Sequence, residues 1–291
     1  MTNWKLILAY DGTPFCGWQV QPGLPTVQGL LADAIHRTVG ERVLPQGSGR
    51  TDTGVHALGQ VASFSLIAPI PPANLRRALN RCLPPSVRIL SAELVPPDFH
   101  ARHSAVRKTY EYRIFPTRAP ALETCLDSIC PPILAPYVWP CPWPLSLDAL
   151  NQAAQHVLGT HDFTTFAAAD PDLTTRTGAA PAHSPIRTIT RSQWHTHDGL
   201  LIYRVTASGF LHHMVRNLVG TFVQAGSHRL SPDAIPALLA ARNRAAAGPT
   251  APARGLFLVS VEYPAANEPS VPHSSRLCDE WASPPSSEGQ S

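Results

Sequence analysis

A single carboxylate stands in a glycine-bounded loop directly behind an arginine, where residues 49–60 read Gly-Arg-Thr-Asp-Thr-Gly-Val-His-Ala-Leu-Gly-Gln. A cation beside a carboxyl group stabilises the ionised form, so the position of Arg50 predicts an Asp52 that stays charged at neutral pH. A permanent carboxylate suits nucleophilic attack better than acid catalysis. Gly49 and Gly54 can adopt backbone angles closed to other residues and leave room for a ligand to approach. Taken alone, Arg-Thr-Asp also fits a surface turn with an ion pair; the whole twelve-residue string is far more specific.

Other segments stand in a fixed order around it. Residues 10–19 read Tyr-Asp-Gly-Thr-Pro-Phe-Cys-Gly-Trp-Gln, and residues 98–105 read Asp-Phe-His-Ala-Arg-His-Ser-Ala, with Tyr110 and Tyr112 beyond them. Then follow Gly-Thr-His-Asp-Phe at 159–163, Ser-Pro-Ile-Arg-Thr-Ile at 184–189, Phe-Leu-His-His-Met-Val-Arg-Asn at 210–217 and Gly-Leu-Phe-Leu at 255–258. In these motifs and in their order, residues 4–264 resemble the TruA family of tRNA pseudouridine synthases.

The resemblance implies an α+β pseudouridine synthase fold: two tandem ferredoxin-like split β-α-β units joined into an extended antiparallel sheet, with helices on one side and a central basic cleft. It implies isomerisation of uridine at positions 38–40 of the tRNA anticodon arm by a homodimer, without a cofactor. Asp52 is the nucleophile in this reading, attacking either C1′ of the ribose or C6 of the base. Tyr110, Arg50, Arg216 and Leu256 are expected to bind the substrate, Arg216 by reaching the active site to pair with the catalytic carboxylate or a nucleotide phosphate, and Leu256 as an apolar cover that excludes water. A base turned out of an RNA stack needs a flat partner and a hydroxyl within reach, which Tyr110 can supply. Tyr112 shares its strand face and reads as structural.

The elements that must position these groups follow from periodicity. A strand is expected at 4–10 and a helix after Thr26, whose apolar positions Val27, Leu30, Leu31, Ala34 and Ile35 form one stripe before Gly40 ends it. Strands at 42–45 and 60–66 flank the Asp52 loop, followed by a helix at 73–82 and a strand at 87–95, in the order β-α-β-β-α-β. The second half repeats the order: a strand at 108–115, a helix at 147–158 capped by Ser146, strands at 186–195 and 200–208, helices at 211–225 and 232–241, and a strand at 256–263. In the 211–225 helix, His212 and Arg216 fall four apart on one face. His212 and His213 read as partly buried helix histidines rather than metal ligands, because no acidic residue or cysteine stands at a matching spacing. The chain divides into units 1–104 and 105–264 and a tail at 265–291.

Composition is compatible with this reading. The chain has 291 residues, 44% of them hydrophobic, enough for a sizeable core. No apolar run approaches the ~18 residues of a membrane span, and the N-terminus lacks a basic segment followed by an apolar one, so a cytoplasmic protein is expected. The six cysteines show no Cys-x-x-Cys pair, which argues for free thiols and against a zinc ribbon. Residues 1–263 hold 22 Lys+Arg against 16 Asp+Glu, and of those cations only Lys5 and Lys108 are lysine. Arginine's planar fork suits phosphate and base edges.

An aspartic protease would share Asp-Thr-Gly at 52–54, but it needs an all-β chain with apolar residues before the aspartate. A non-catalytic tRNA-binding relative, or a synthase with another RNA target, are the remaining alternatives; Asp52, Tyr110 and Arg216 together argue for catalysis. The chain departs from the family pattern at 167–183, a long Ala/Thr/Asp/Pro-rich loop, and at the proline-rich 116–144. The Pro/Ser/Glu-rich tail has no apolar period and is expected to be disordered.

Overall fold

The computed structural model describes residues 1–118, 129–168 and 184–264. The expectation for the tail, and most of that for the 167–183 loop, lie outside these residues. The chain runs β1 (Thr2–Tyr10), α1 (Val27–Val39), β2 (Gln46–Gly47), β3 (His56–Leu66), α2 (Pro72–Cys82), β4 (Val87–Val95) and β5 (Arg107–Pro116). It continues through β6 (Trp139–Cys141), α3 (Leu147–Gln155), β7 (Gly159–Asp162), β8 (Ile186–His197), β9 (Leu200–Ala207), α4 (Met214–Gly226), α5 (Ile235–Ala241) and β10 (Leu256–Glu262).

One sheet carries the order β4-β1-β3-β10-β5-β9-β8-β7, with β2 on β3 and β6 on β5. Within it β4-β1-β3-β2 and β10-β5-β9-β8 are the same split pattern twice, so the tandem architecture expected from the sequence is the one observed. The two patterns meet along β3. Its later residues Ala62 and Ser63 pair with the two-residue β2, whereas its first residues His56 and Ala57 pair in parallel with Phe257 and Leu258 of β10, respectively. Where β2 stops, the chain leaves the sheet as the Asp52 loop and returns at His56. The candidate nucleophile therefore lies at the seam.

Alternation along β1 sends Trp4, Leu6 and Leu8 into a core shared with Leu31 and Ile35 of α1 and Leu75 and Leu79 of α2. In the other half Trp194, Tyr203 and Phe222 are fully buried with Leu150 of α3. Each such side chain is worth about 1.5–3 kcal/mol of burial, and the sum fixes the strands that carry the site. The local signals are in place: the Thr26 hydroxyl accepts from the Gly29 N–H at 3.4 Å, the Ser146 hydroxyl accepts from Ala149 at 3.3 Å, and Gly40 closes α1 with φ 78°.

Several boundaries differ from expectation. Residues 42–45 form no strand, because other groups take up the hydrogen bonds around them. The Gln28 amide donates to the Pro45 carbonyl at 2.9 Å, and the Glu41 carboxylate accepts from the N–H groups of Ile67 and Ala68. β3 begins four residues before the expected Gln60, since its pairing with β10 is a long-range contact that no local pattern announces. The helix expected from Leu211 starts at Met214, and a 3-10 turn at Pro232–Ala234 replaces the start of the next. The short β6 and β7 have no counterpart in the periodicity. Among the described residues no helix is long and apolar enough to cross a membrane.

Candidate active site

The Asp52 loop is held from both sides. At its base, Ser48 donates its N–H to Val61 and lies 2.6 Å from the Gln60 side chain, whose amide also donates to the Gly49 carbonyl. From the N-terminal segment, the Trp18 N–H donates to the Thr51 carbonyl at 3.0 Å and the Tyr10 hydroxyl meets the Thr51 hydroxyl at 2.8 Å. Gly17 has φ 88°, and a Cβ there would come within 2.6 Å of the Thr51 carbonyl oxygen, so the segment can press on the loop only with glycine. Within the loop Gly54 is left-handed at φ 76°, as the sequence predicts. Gly49 is not; its role is room, since a Cβ would sit 3.2 Å from the Lys108 Nζ.

Asp52 is half-buried and opens onto a cleft of about 980 Å3. Its Oδ2 accepts from the Arg216 guanidinium at 2.8 Å and lies 3.2 Å from the His213 Nε2; its Oδ1 is 3.6 Å from the His212 Nε2. Burial pushes the carboxyl pKa up, but the two imidazoles and the guanidinium outweigh it and hold the group well below the usual carboxylate range. These neighbours favour the ionised state that Arg50 predicts, and the cation bonded to Asp52 is Arg216, 164 positions away, the arginine that the resemblance brings to the active site. Arg50 itself is exposed in the cleft wall.

Arg216 is fixed before any ligand arrives. Its Nε donates to the Ala251 carbonyl at 2.8 Å while the Ala251 N–H donates back to the Arg216 carbonyl at 3.1 Å. The next residue, Asn217, is fully buried: its amide donates to Phe166 and its Oδ1 accepts from Arg244 and Thr250. This network locks the first turn of α4. His213 precedes that turn at φ 58°, a left-handed conformation that costs a non-glycine residue about 1 kcal/mol. The reversal takes His212 and His213 off the helix and turns both rings, 4.0 Å apart, toward Asp52.

The sequence misplaced these two histidines on a helix face, and missed that Asp52 is their acidic partner in space. The signal available was their position just before the Arg216 turn, in one motif with it. The carboxylate and two imidazoles are close enough to gather one metal ion. A divalent ion would have to share Oδ2 with a fixed guanidinium at 2.8 Å, so the arrangement reads as an ion-pair clamp.

Tyr110 lies on β5 with its ring edge-on to Phe210 at 5.0 Å, and it lines the same cleft. Among the described residues its hydroxyl has no hydrogen-bond partner. Burial, then coupling to the neighbouring Tyr10 phenol and the Asp52 carboxylate, drives its pKa up, so the hydroxyl keeps its proton. Tyr112 is fully buried and donates to the Pro252 carbonyl at 2.7 Å, a structural role. Between them Glu111 points to the opposite face and binds Arg113 and Arg204 at 2.8 and 2.6 Å. Leu256, at the start of β10, forms part of the cleft wall. The structure therefore brings Asp52, Arg50, Tyr110, Arg216 and Leu256 to one cleft.

His56, at the first position of β3, binds the seam together. Its Nδ1 accepts from the Gly12 N–H at 3.0 Å, and its Nε2 reaches the carbonyls of Arg254 and Pro136 at 3.1 and 3.2 Å. The ring stacks on Phe257 at 4.6 Å. Burial lowers its pKa against the pull of Asp11, which favours the neutral ring that these contacts require. We expect His56→Ala to lower unfolding free energy by about 3 kcal/mol, since it leaves a buried N–H without an acceptor. Thermal or denaturant unfolding measures this, and an unchanged midpoint would contradict it.

The sequence matches the tRNA pseudouridine synthase family over residues 6–104 and 153–264. The chain belongs to that family. Among relatives named tRNA pseudouridine synthase A, the protein of Solibacter usitatus is 48% identical over 264 residues, covering 90% of this chain and 100% of its own. That of Moorella thermoacetica is 46% identical over 261 residues, 89% of this chain and 98% of its own. That of Methylobacterium radiotolerans is 43% identical over 269 residues, again 90% and 98%. The shared span contains the Asp52 loop, the His212–Arg216 turn and β10. An isomerase acting on tRNA uridine is the activity this membership gives.

Proposed function

We propose that the cleft converts uridine to pseudouridine at positions 38–40 of the tRNA anticodon arm, with Asp52 as nucleophile. The observation that carries this reading is the clamp on one carboxylate oxygen. Arg216 and His213 take Oδ2, and Oδ1, with His212 at 3.6 Å, is the freer oxygen. Oδ1 attacks C1′ of the ribose or C6 of the base. The N1–C1′ bond breaks, the uracil turns while held, C5 bonds to C1′, the bond from Oδ1 to C1′ or C6 breaks with its electron pair returning to the carboxylate, the C5 proton leaves and N1 regains a proton. Atoms and electrons balance within the nucleotide, so the reaction asks for no cofactor.

In this scheme Tyr110 stacks on the reacting base and offers it a protonated hydroxyl. Leu256 keeps water from the detached uracil, and Arg50, at the rim, meets the RNA. We take residues 1–104 and 105–264 as the two units whose junction forms the cleft, and a cytoplasmic homodimer as the working assembly. Release of tritium from C5-labelled uridine in a tRNA transcript follows the loss of the C5 hydrogen directly; no release by the purified protein would refute the reading.

Tyr110→Phe keeps the ring and removes only the hydroxyl. We expect it to lower kcat by about 10²-fold or more with tRNA affinity within about threefold of wild type. Unchanged turnover at saturating tRNA would show that the hydroxyl has no chemical role.

A further inference from the structure

We propose that Arg102, Lys108 and Arg187 form a seat for a backbone phosphate of the bound RNA beside the reacting nucleotide. This rests on the reading of the cleft as an RNA site. The three come from separate elements: Arg102 from the turn before β5, Lys108 from β5, and Arg187 from β8. All three line the cleft that holds Asp52. Lys108 is half-buried and donates from Nζ to the Ser48 carbonyl at 2.5 Å. Arg187 is braced through its Nη1 to the carbonyls of Ser184 and Ile186 at 2.6 and 2.7 Å, and its Nε would lie 3.6 Å from a Cβ on Gly209.

Among the described residues none of the three has a carboxylate within ion-pair distance, in contrast to Arg216, whose charge Asp52 answers. Three cations gathered without a counter-ion repel one another, and a phosphate supplies the missing charge with oxygens that match both a guanidinium fork and an ammonium.

The cluster also predicts a pH signature. Burial, then the charges of Arg102 and Arg187, push the Lys108 pKa down to about 8. The groups facing it are the Ser48 carbonyl of the β2–β3 connection, Arg102 and Arg187, while its ladder neighbours Val261 on β10 and Ala207 on β9 carry no charge. An anion seated on Lys108 raises that pKa again, so binding above pH 8 takes up a proton and affinity falls as pH rises.

The experiment is the dissociation constant of an unmodified tRNA transcript at constant ionic strength, at pH 7 and pH 9, for wild type, Lys108→Arg and Lys108→Met. Wild type is expected to weaken about tenfold more between the two pH values than Lys108→Arg, whose guanidinium stays charged throughout. Lys108→Met is expected to bind about tenfold more weakly than wild type at pH 7, with the pH dependence of Lys108→Arg. Because Lys108→Arg shares every other titration of protein and RNA, an equal pH dependence in wild type and Lys108→Arg would overturn the proposal. So would wild-type affinity of Lys108→Met at pH 7. If wild type binds the transcript at neither pH, the RNA reading of the cleft falls and the phosphate seat falls with it. A normal tritium release with the first pattern absent removes only the seat.

Discussion

Asp52→Asn should lower uridine isomerisation by roughly 10⁴-fold or more while leaving tRNA affinity within a few-fold of wild type. The amide has nearly the volume of the carboxylate and still accepts a hydrogen bond from Arg216, so the seam between β3 and β10 is preserved. What it lacks is the charge that, in the proposed mechanism, makes Oδ1 a nucleophile. Single-turnover rates at saturating transcript, with affinity measured separately by filter binding, distinguish the two effects. A variant turning over within tenfold of wild type would remove Asp52 from the chemistry, and a variant that no longer binds tRNA would make it a binding residue.

Arg216→Ala should be almost as severe, lowering kcat/KM by about 10²–10³-fold, and it should also change the shape of the pH profile. In the wild type the imidazoles and the guanidinium hold Asp52 ionised well below the usual range, so its own titration does not limit activity near neutrality. Removal of the guanidinium moves the Asp52 pKa toward its ordinary value, and activity should then be lost at a higher pH on the acid side. The same shift bears on stability. A depressed native pKa contributes stability above the unfolded value of about 3.9, and that contribution disappears as pH falls toward the native one. The variant should therefore lose stability at neutral pH and show a shallower acid dependence. An unchanged acid limb would show that Arg216 does not control the charge of Asp52.

The local chemistry of this chain was legible without coordinates. Thr26 and Ser146 cap their helices, Gly40 ends α1, Gly54 turns the loop, and the alternation of Trp4, Leu6 and Leu8 marks a strand, because each depends on neighbours within a few positions. The ordered motifs carried the family, and with it Asp52, Tyr110, Arg50, Arg216 and Leu256 in one cleft.

What was not legible is non-local. The pairing of His56 with Phe257 starts β3 early, and Gln28 and Glu41 replace a strand at 42–45. The arginine bonded to Asp52 is 164 positions distant; local charge proximity pointed to Arg50, and only the family resemblance brought Arg216 to the catalytic carboxylate or a phosphate. The left-handed His213 turned two histidines toward the site that helical periodicity had placed on a helix face. No pattern of period 2 or 3.6 encodes such contacts, and one αL residue is enough to break a period.

The most direct test of the whole account is position-resolved mapping of pseudouridine in unmodified tRNA transcripts after incubation with the purified protein, on a panel in which one uridine is moved stepwise through the anticodon arm. If, as proposed, the cations of the cleft meet phosphates, it reads shape rather than base edges. Modification is therefore expected at positions 38, 39 and 40 in transcripts of unlike sequence, and at none of them with Asp52→Asn. Pseudouridine at a single position in one fixed base context, at sites outside the arm, or undiminished in the Asp52→Asn reaction would contradict it.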